Sequence, residues 1–195
     1  MNHPLTMTFR ILALAPQVHV RDATGATVCY VRQKLLRLKE HVEVFADESQ
    51  SRLLYEIRAD RMIDFSATYR FADAAGRPLG AVRRRGWRSL WRARYDLLDE
   101  QGRECGSITE VDPWVSFADR LLDGIPGVSL VTGYILHPVY ALSDATGRTL
   151  LRLTKQSGFL ESRFLIDRCV PCTETEETRG VLAFLMMTLL ERRRG

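Results

Sequence analysis

Long hydrophobic runs, lysines and cysteines are all scarce in this sequence. The longest apolar run, Val181 to Leu190, is half of the roughly 20 residues that a membrane-spanning helix needs. Before it, only Ile11 to Ala15 could serve as the apolar core of a secretory signal, and this run is too short. Four cysteines in 195 residues are too few for a disulfide framework. We therefore expect a folded cytoplasmic protein with reduced thiols and no spanning helix.

Signatures of catalysis and of metal binding are also missing. The sequence contains no GxSxG, GxxxxGK[ST], GxGxxG or HExxH motif, and its four histidines are scattered without ligand spacing. Cys169-Val-Pro-Cys172 has the spacing of a redox pair or of half a zinc site, but no second CxxC accompanies it. We expect a structural role for these cysteines, no cofactor, no metal and no enzymatic activity.

The composition is that of an ordinary soluble globular protein, with 46% hydrophobic and 27% charged residues. No linker rich in Pro, Gly or Ser divides the chain, so we expect a single domain over residues 1–195. The net charge of +4 comes almost wholly from arginine, because only three residues are lysine. This excess is consistent with phosphate recognition by guanidinium groups and also with the codon usage of a GC-rich genome.

A short pattern, apolar-x-apolar-x-Asp-x-x-Gly, occurs four times and is followed each time by a second apolar segment. Alternating apolar residues are typical of a strand with one buried face. The aspartate can cap the turn, and the glycine supplies the positive φ that closes a short hairpin loop. Asp47-Glu-Ser-Gln50 is a degraded fifth copy. The four full copies end in Asp22-Ala-Thr-Gly25, Asp73-Ala-Ala-Gly76, Asp99-Glu-Gln-Gly102 and Asp144-Ala-Thr-Gly147.

These repeats predict five β-hairpins. Two further strands are expected, near Ser162 to Asp167 and at Phe9 to Leu14, which gives about twelve strands. The predicted second strands of the hairpins are Thr27 to Arg32, Arg52 to Arg58, Leu79 to Arg85, Arg103 to Val111 and Thr149 to Thr154.

The last segment of the chain predicts a helix over about residues 174–192 that is apolar on all sides. A helix of this kind must be buried on all sides, and a barrel of about twelve strands leaves a lumen that could hold it. Thr173 and Glu176 have the spacing of a capping box at its start. The sequence therefore predicts a mainly β fold, a closed antiparallel barrel around a buried C-terminal helix, in preference to a tail anchor.

One segment interrupts the strand pattern. Asp112-Pro113 is a good helix start, and apolar residues between Trp114 and Leu122 recur at helical spacing. We expect a short amphipathic helix at one end of the barrel. Its polar face carries Asp119, Arg120 and Asp123, which favours a lid over a membrane-surface helix.

The best candidate for a binding site is a cluster of arginines and tryptophans between positions 83 and 94. Arginine binds phosphate with two parallel hydrogen bonds, and tryptophan suits either a lipid interface or base stacking. The alternative is a hairpin connection with solvated arginines. The candidate residues for binding a phospholipid or another anion are Arg83, Arg84, Arg85, Trp87, Arg88, Trp91, Arg92 and Arg94.

Several segments together resemble the Tubby C-terminal-like superfamily, most closely its LURP-one-related and phospholipid-scramblase-like branch. They are the hairpins, Gln33 to Leu36, Gly86 to Tyr95, Phe159 to Ile166 and the C-terminal helix. The resemblance covers about residues 17–194 and implies a twelve-stranded barrel around a hydrophobic helix. It also implies binding of anionic lipid head groups through basic surface residues.

Three functional hypotheses follow. The first is a module that binds anionic phospholipid at a membrane surface, without enzymatic activity. The second is a protein that binds nucleic acid, or is linked to transcription, through the same basic cluster. The third is a carrier of a small molecule in one mouth of the barrel, for which an unfilled lumen would be required.

Overall fold

The computed structural model describes residues 1–10, 17–32, 41–60, 67–84, 94–111, 138–156 and 161–191. These residues form twelve strands and one helix, α1 (Glu174–Glu191). The strands are β1 (Leu5–Arg10), β2 (Gln17–Arg21), β3 (Thr27–Arg32), β4 (His41–Phe45), β5 (Leu53–Ala59), β6 (Thr68–Asp73), β7 (Pro78–Arg84), β8 (Arg94–Leu98), β9 (Glu104–Val111), β10 (Val139–Asp144), β11 (Thr149–Gln156) and β12 (Glu161–Arg168).

The strands form a closed antiparallel barrel in which each strand pairs with its neighbours in sequence and β1 pairs with β12. Side chains along each strand alternate between the lumen and the outer wall. In β1, for example, Leu5, Met7 and Phe9 face the lumen and are fully buried. The predicted mainly β fold, a closed twelve-stranded barrel, is confirmed.

The two ends of the barrel differ in their connections. At one end, which we call the turn end, lie the five hairpin turns that join β2 to β3, β4 to β5, β6 to β7, β8 to β9 and β10 to β11. The start of α1 is also at the turn end, because it follows β12 directly. At the other end, the mouth end, β1, β3 and β7 finish at Arg10, Arg32 and Arg84, and α1 ends at Glu191.

The hairpin turns have the chemistry that the repeat predicts. Gly25, Gly76, Gly102 and Gly147 all have positive φ, and each turn aspartate accepts backbone hydrogen bonds from residues two and four positions later. In the degraded copy, Gln50 takes the position of glycine with a φ of 55°. The backbone amide of Ser49 donates to Asp47 in that turn at 2.8 Å, so the fifth hairpin is also confirmed.

Helix α1 fills the lumen. All residues from Glu177 to Leu189 are buried, and the apolar ones belong to the same core cluster as the inward-facing strand residues. The capping box is confirmed, because the backbone amide of Glu176 donates to Thr173 Oγ1 at 3.2 Å and that of Thr173 donates to Glu176 Oε2 at 2.8 Å. Within the described ranges, no helix combines the length and apolar character that spanning a membrane requires.

A buried arginine fixes the first turns of the helix against the wall. Arg179 Nε donates to the carbonyl oxygen of Leu79 at 2.7 Å, and its guanidinium group also pairs with Glu100 in the turn between β8 and β9. The arginine passes over Gly80, where an added Cβ would lie 2.7 Å from Arg179 Nε. The glycine thus makes room for the charged side chain that anchors α1.

The first strand begins earlier in the chain than the sequence predicts. The first strand runs from Leu5 to Arg10, whereas the sequence predicted a strand at Phe9 to Leu14; residues 11–14 lie outside the described ranges. Thr6 and Thr8 face the outer wall and alternate with Leu5, Met7 and Phe9, a strand pattern that the sequence prediction did not use. The predicted short helix at 114–122 also lies outside the described residues.

Candidate functional site

Three of the eight residues in the predicted basic cluster are described, and all three lie at the mouth end. Arg83 and Arg84 are the last residues of β7, and Arg94 is the first residue of β8. The other predicted members, Arg85, Trp87, Arg88, Trp91 and Arg92, lie outside the described residues.

On the outer wall, Arg83 and Arg94 flank a buried carboxylate. Asp96 has no exposed surface, and its Oδ2 accepts a hydrogen bond from Arg83 Nη2 at 3.2 Å. Arg94 Nε lies 4.0 Å from the other carboxylate oxygen. Arg83 lies opposite Asp96 in the ladder between β7 and β8, so its position is fixed by the register. These two arginines therefore neutralise Asp96 as well as contributing positive charge.

Arg84 faces the opposite way, into the mouth. Its guanidinium carbon lies 5.9 Å from the centre of the Tyr95 ring, a cation–π distance. The Tyr95 hydroxyl donates to Glu191 Oε1 at 2.5 Å, which ties β8 to the last residue of α1. Burial and the adjacent Glu191 carboxylate raise the pKa of Tyr95 far above its ordinary value, so its hydroxyl stays protonated and keeps donating.

Glu110 and Tyr140 continue this polar side of the mouth. They lie opposite each other in the ladder between β9 and β10, and both are half-buried. Burial and the carboxylates of Glu110 and Glu191 raise the pKa of Tyr140 to about 12. Among the described residues, the inward side of the mouth therefore carries groups of both charges, namely Arg84, Glu110 and Glu191.

Charge is divided unevenly along the chain in a way that matches the two ends. Seven segments (11–16, 33–40, 61–66, 85–93, 112–137, 157–160 and 192–195) are each joined in the sequence to described residues at the mouth end. Together they contain 11 Lys or Arg and 5 Asp or Glu. The described residues contain 17 Lys or Arg and 19 Asp or Glu. The positive net charge of the protein is thus contributed by sequence attached to the mouth end.

The turn end is acidic by contrast. Its five turns each carry an aspartate, and the first turn of α1 carries Glu174, Glu176 and Glu177. Several of these carboxylates form ion pairs with basic side chains. Glu177 is buried and contacts His3 Nε2 at 2.5 Å and Arg168 Nη1 at 3.5 Å. Negative charge here is next to the positive end of the helix dipole, which favours it.

The buried polar groups were not predicted from the sequence. Asp96 looked like an ordinary outward-facing strand residue, and Glu177 and Arg179 precede the apolar segment that identified the helix. An alternation count does assign Asp96 to the outer wall, opposite Arg83, once the hairpin register is known. Its burial depends on tertiary structure and has no signal in the sequence.

The cysteine pair lacks the features of a reactive site. Cys169 is exposed and Cys172 is half-buried just before α1, and both are free thiols. Partial burial raises the pKa of both, and the nearby Glu177 and Glu176 raise that of Cys172 further. A reactive cysteine needs a lowered pKa. In the described part of the chain, no group of three or more potential ligands could hold a metal ion.

Comparison with known proteins gives a match to a family model. No curated protein and no solved structure matches the chain at a significant level. The model of the LURP-one-related family matches residues 27–121, from the start of β3 past the end of β9. This match and the closed barrel around a central helix are both consistent with the Tubby-like superfamily. Over residues 27–121, which are just under half of its length, this chain is similar to the LURP-one-related family.

Proposed function

We propose that this protein is a non-enzymatic module whose mouth end associates with anionic phospholipid at a membrane surface. The observation that supports this proposal is the division of charge between the two ends of the barrel. The seven segments attached to the mouth end carry 11 basic and 5 acidic residues, whereas the turn end is lined by aspartates and glutamates. A protein with this polarity would approach an anionic surface with one end first.

The size of the expected effect supports a surface role. A basic residue near an anionic membrane contributes about 1 kcal/mol to binding, so a few arginines acting together suffice for measurable association. The helix dipole places partial negative charge at the mouth end, and the excess of basic residues more than offsets it. Arg83 and Arg94 contribute less than isolated arginines would, because both also face the Asp96 carboxylate.

Two other hypotheses can be weighed against the fold. Nucleic acid would also be attracted to a basic end, so this alternative is separated from lipid binding only by experiment. A small-molecule carrier is disfavoured, because the residues of α1 from Glu177 to Leu189 are all buried among the inward-facing strand residues. The lumen is thus occupied by the helix itself.

The proposal can be tested by flotation with vesicles that contain phosphatidylglycerol. One variant replaces three arginines attached to the mouth end, Arg85, Arg88 and Arg92, with glutamine. A matched variant replaces three arginines of the hairpin turns, Arg77, Arg103 and Arg148, which are exposed and pair with turn aspartates. Both variants lose three positive charges and so have the same net charge. They differ only in the end of the barrel that is altered.

We expect the mouth-end variant to bind vesicles about 100-fold more weakly than wild type, from the loss of about 3 kcal/mol. The turn-end variant should bind nearly as well as wild type. Equal weakening of both variants would mean that net charge alone governs binding, and the proposal would be wrong. Retardation of duplex DNA with the same dependence on these arginines, in the absence of vesicle binding, would favour the nucleic-acid alternative.

A further inference from the structure

A second feature of the molecule lies on the outer wall of β1, β2 and β3. His19 is at an outward-facing position of β2, yet only 6% of its side chain is exposed. Its ring packs against Tyr30 of β3, with ring centres 4.8 Å apart. Its Nδ1 lies 3.5 Å from Glu48 Oε1, whereas Nε2 is buried and has no hydrogen-bond partner. Buried polar atoms are normally paired, so this nitrogen requires an explanation.

Two arginines lie near this histidine on the same outer wall, on either side of its neighbour Gln17. Arg10 of β1 and Arg32 of β3 both lie opposite Gln17 of β2, one on each side. Neighbouring strands are about 4.8 Å apart, so the two arginine backbones are about 10 Å apart. His19 faces the same side as Gln17, two residues along β2 and about 7 Å away. The three side chains therefore surround one small area of the wall.

The charge of this area is only partly balanced. Arg32 forms no ion pair with the described part of the chain, and Arg10 has only a long contact of 3.9 Å with Glu161. Half of the Arg10 side chain is exposed, and Arg32 is exposed as well. Both arginine side chains are long and exposed on the wall that carries the unpaired His19 Nε2, and Arg10 is close enough to lower the pKa of the ring. Their planar donors match the oxygens of a tetrahedral oxyanion.

We propose that the outer wall of β1, β2 and β3 carries a binding site for a tetrahedral oxyanion of the phosphate or sulfate type. In this site Arg10 and Arg32 hold the anion from two sides, and His19 Nε2 donates a hydrogen bond to it. The site is separate from the Arg83 to Arg94 cluster and does not depend on the proposed function.

Binding in this arrangement takes up a proton. Glu48 Oε1 lies 3.5 Å from Nδ1, which favours the neutral tautomer with hydrogen on Nδ1 and leaves only a lone pair at Nε2. An anion at Nε2 requires a second hydrogen there, which makes the ring a cation. In the free protein, burial lowers the pKa of His19, and Arg10 and Arg21 lower it further, although Glu48 and Glu161 act in the opposite direction. The ring is therefore neutral at pH 7 until an anion offsets the arginines.

The proton uptake gives the site a distinctive pH dependence. Because the anion binds the protonated ring, affinity rises as the pH falls from 8 to 6. Sulfate is the suitable probe, since it keeps two negative charges over this range and any pH dependence then comes from the protein. The affinity for sulfate should increase at least about 25-fold between pH 8 and pH 6, because the free His19 pKa lies below the ordinary 6.5 and the uptake of one proton allows up to about 100-fold over two pH units.

The experiment is an NMR titration of the four histidine rings with sodium sulfate, at constant ionic strength maintained with chloride. We expect the His19 resonances to shift and to titrate at a higher pH when sulfate is present. His41 is the internal control, because it also faces outward with an unpaired Nε2 but lies beside Glu56, at 3.7 Å, and not between arginines. Arg10→Gln and Arg32→Gln should each weaken sulfate binding about tenfold.

The proposal is wrong if the His19 resonances move no more than those of His41, or if the double variant Arg10→Gln/Arg32→Gln binds sulfate like wild type. His19→Phe keeps a ring against Tyr30 and should abolish binding; if it fails to fold, the two exposed arginines still provide the test. Sulfate binding should persist in the variant lacking Arg85, Arg88 and Arg92, so this proposal and the proposed function fail separately. Bound sulfate can then be displaced either with phosphatidic acid vesicles or with inorganic phosphate. Displacement by the vesicles at a lower phosphate concentration would assign a lipid head group as the source of the anion, and the reverse would assign free phosphate.

Discussion

Replacing Gly80 with alanine should destabilise the barrel much more than the same change at the other positive-φ glycines. Gly80 has a φ of 120°, where residues with a side chain are strained. An added Cβ would also lie 2.3 Å from the Leu98 carbonyl oxygen and 2.7 Å from Arg179 Nε. The first contact is with backbone, which cannot move aside easily, and the second is with the arginine that anchors α1.

The expected loss can be estimated from these two effects. Backbone strain of this kind costs about 1–3 kcal/mol, and overpacking in a filled core costs about a further 1–3 kcal/mol. Gly76→Ala is the matched control, because Gly76 has a φ of 79° but nothing lies within 4 Å of the added Cβ. That control should lose only about 1–2 kcal/mol. Because the strain is similar at the two positions, we expect Gly80→Ala to cost about 1–3 kcal/mol more than Gly76→Ala, from the overpacking.

The assay is urea unfolding at equilibrium, followed by far-ultraviolet circular dichroism, with the free energy taken by linear extrapolation. A double-mutant cycle with Arg179→Met would show whether the arginine takes part, since removing it relieves one of the two close contacts. If the free energies of unfolding of Gly80→Ala and Gly76→Ala differ by less than about 1 kcal/mol, Arg179 does not pack closely over Gly80.

Three further predictions concern the core, the thiols and the turns. Leu185→Asp should abolish cooperative thermal unfolding, because it places a charge in the filled lumen; a variant that stays folded would contradict a central position of α1. Burial raises the pKa of the Cys29 thiol to about 12, so at pH 8 a thiol reagent should label exposed Cys169 rapidly and Cys29 only upon unfolding. Hydrogen bonds lower the pKa of Asp73, and the bond from the backbone amide of Arg77 has the largest effect. This contribution to stability is present above the ordinary aspartate pKa of about 4 and is lost as the pH falls through the lower folded value. Asp73→Asn should therefore reduce the loss of stability in acid, measured by thermal unfolding between pH 5 and pH 2.

The fold could be predicted from the sequence because its signals are local. Each Asp-x-x-Gly turn specifies its own hairpin, and the alternation of apolar residues assigns the inward face of each strand. The helix was predictable for the same reason, since ten consecutive positions without a polar stripe admit only a buried location. The first strand was placed too late, because the continuous apolar run from Ile11 to Ala15 drew the prediction away from the alternation of Leu5, Met7 and Phe9.

The buried charges could not be predicted, because their partners are distant in the sequence. Glu177 contacts His3, 174 positions away, and Arg179 contacts Glu100, 79 positions away. No local pattern connects such residues. The basic cluster contains one predictable feature and one unpredictable feature. The alternation of strand side chains predicts that Arg83 and Arg84 face opposite ways, whereas only the pairing of β7 with β8 shows that Arg83 contacts the buried Asp96.

The central functional claim is that the mouth end is the part of the barrel that meets an anionic surface. Hydrogen exchange measured with and without phosphatidylglycerol vesicles tests this most directly, because it needs no substitution. We predict slower exchange in peptides that contain residues 83–94 and the end of α1, with no change in the hairpin turns at 22–26 and 74–77. Protection confined to the turns, or spread evenly over both ends, would contradict this account.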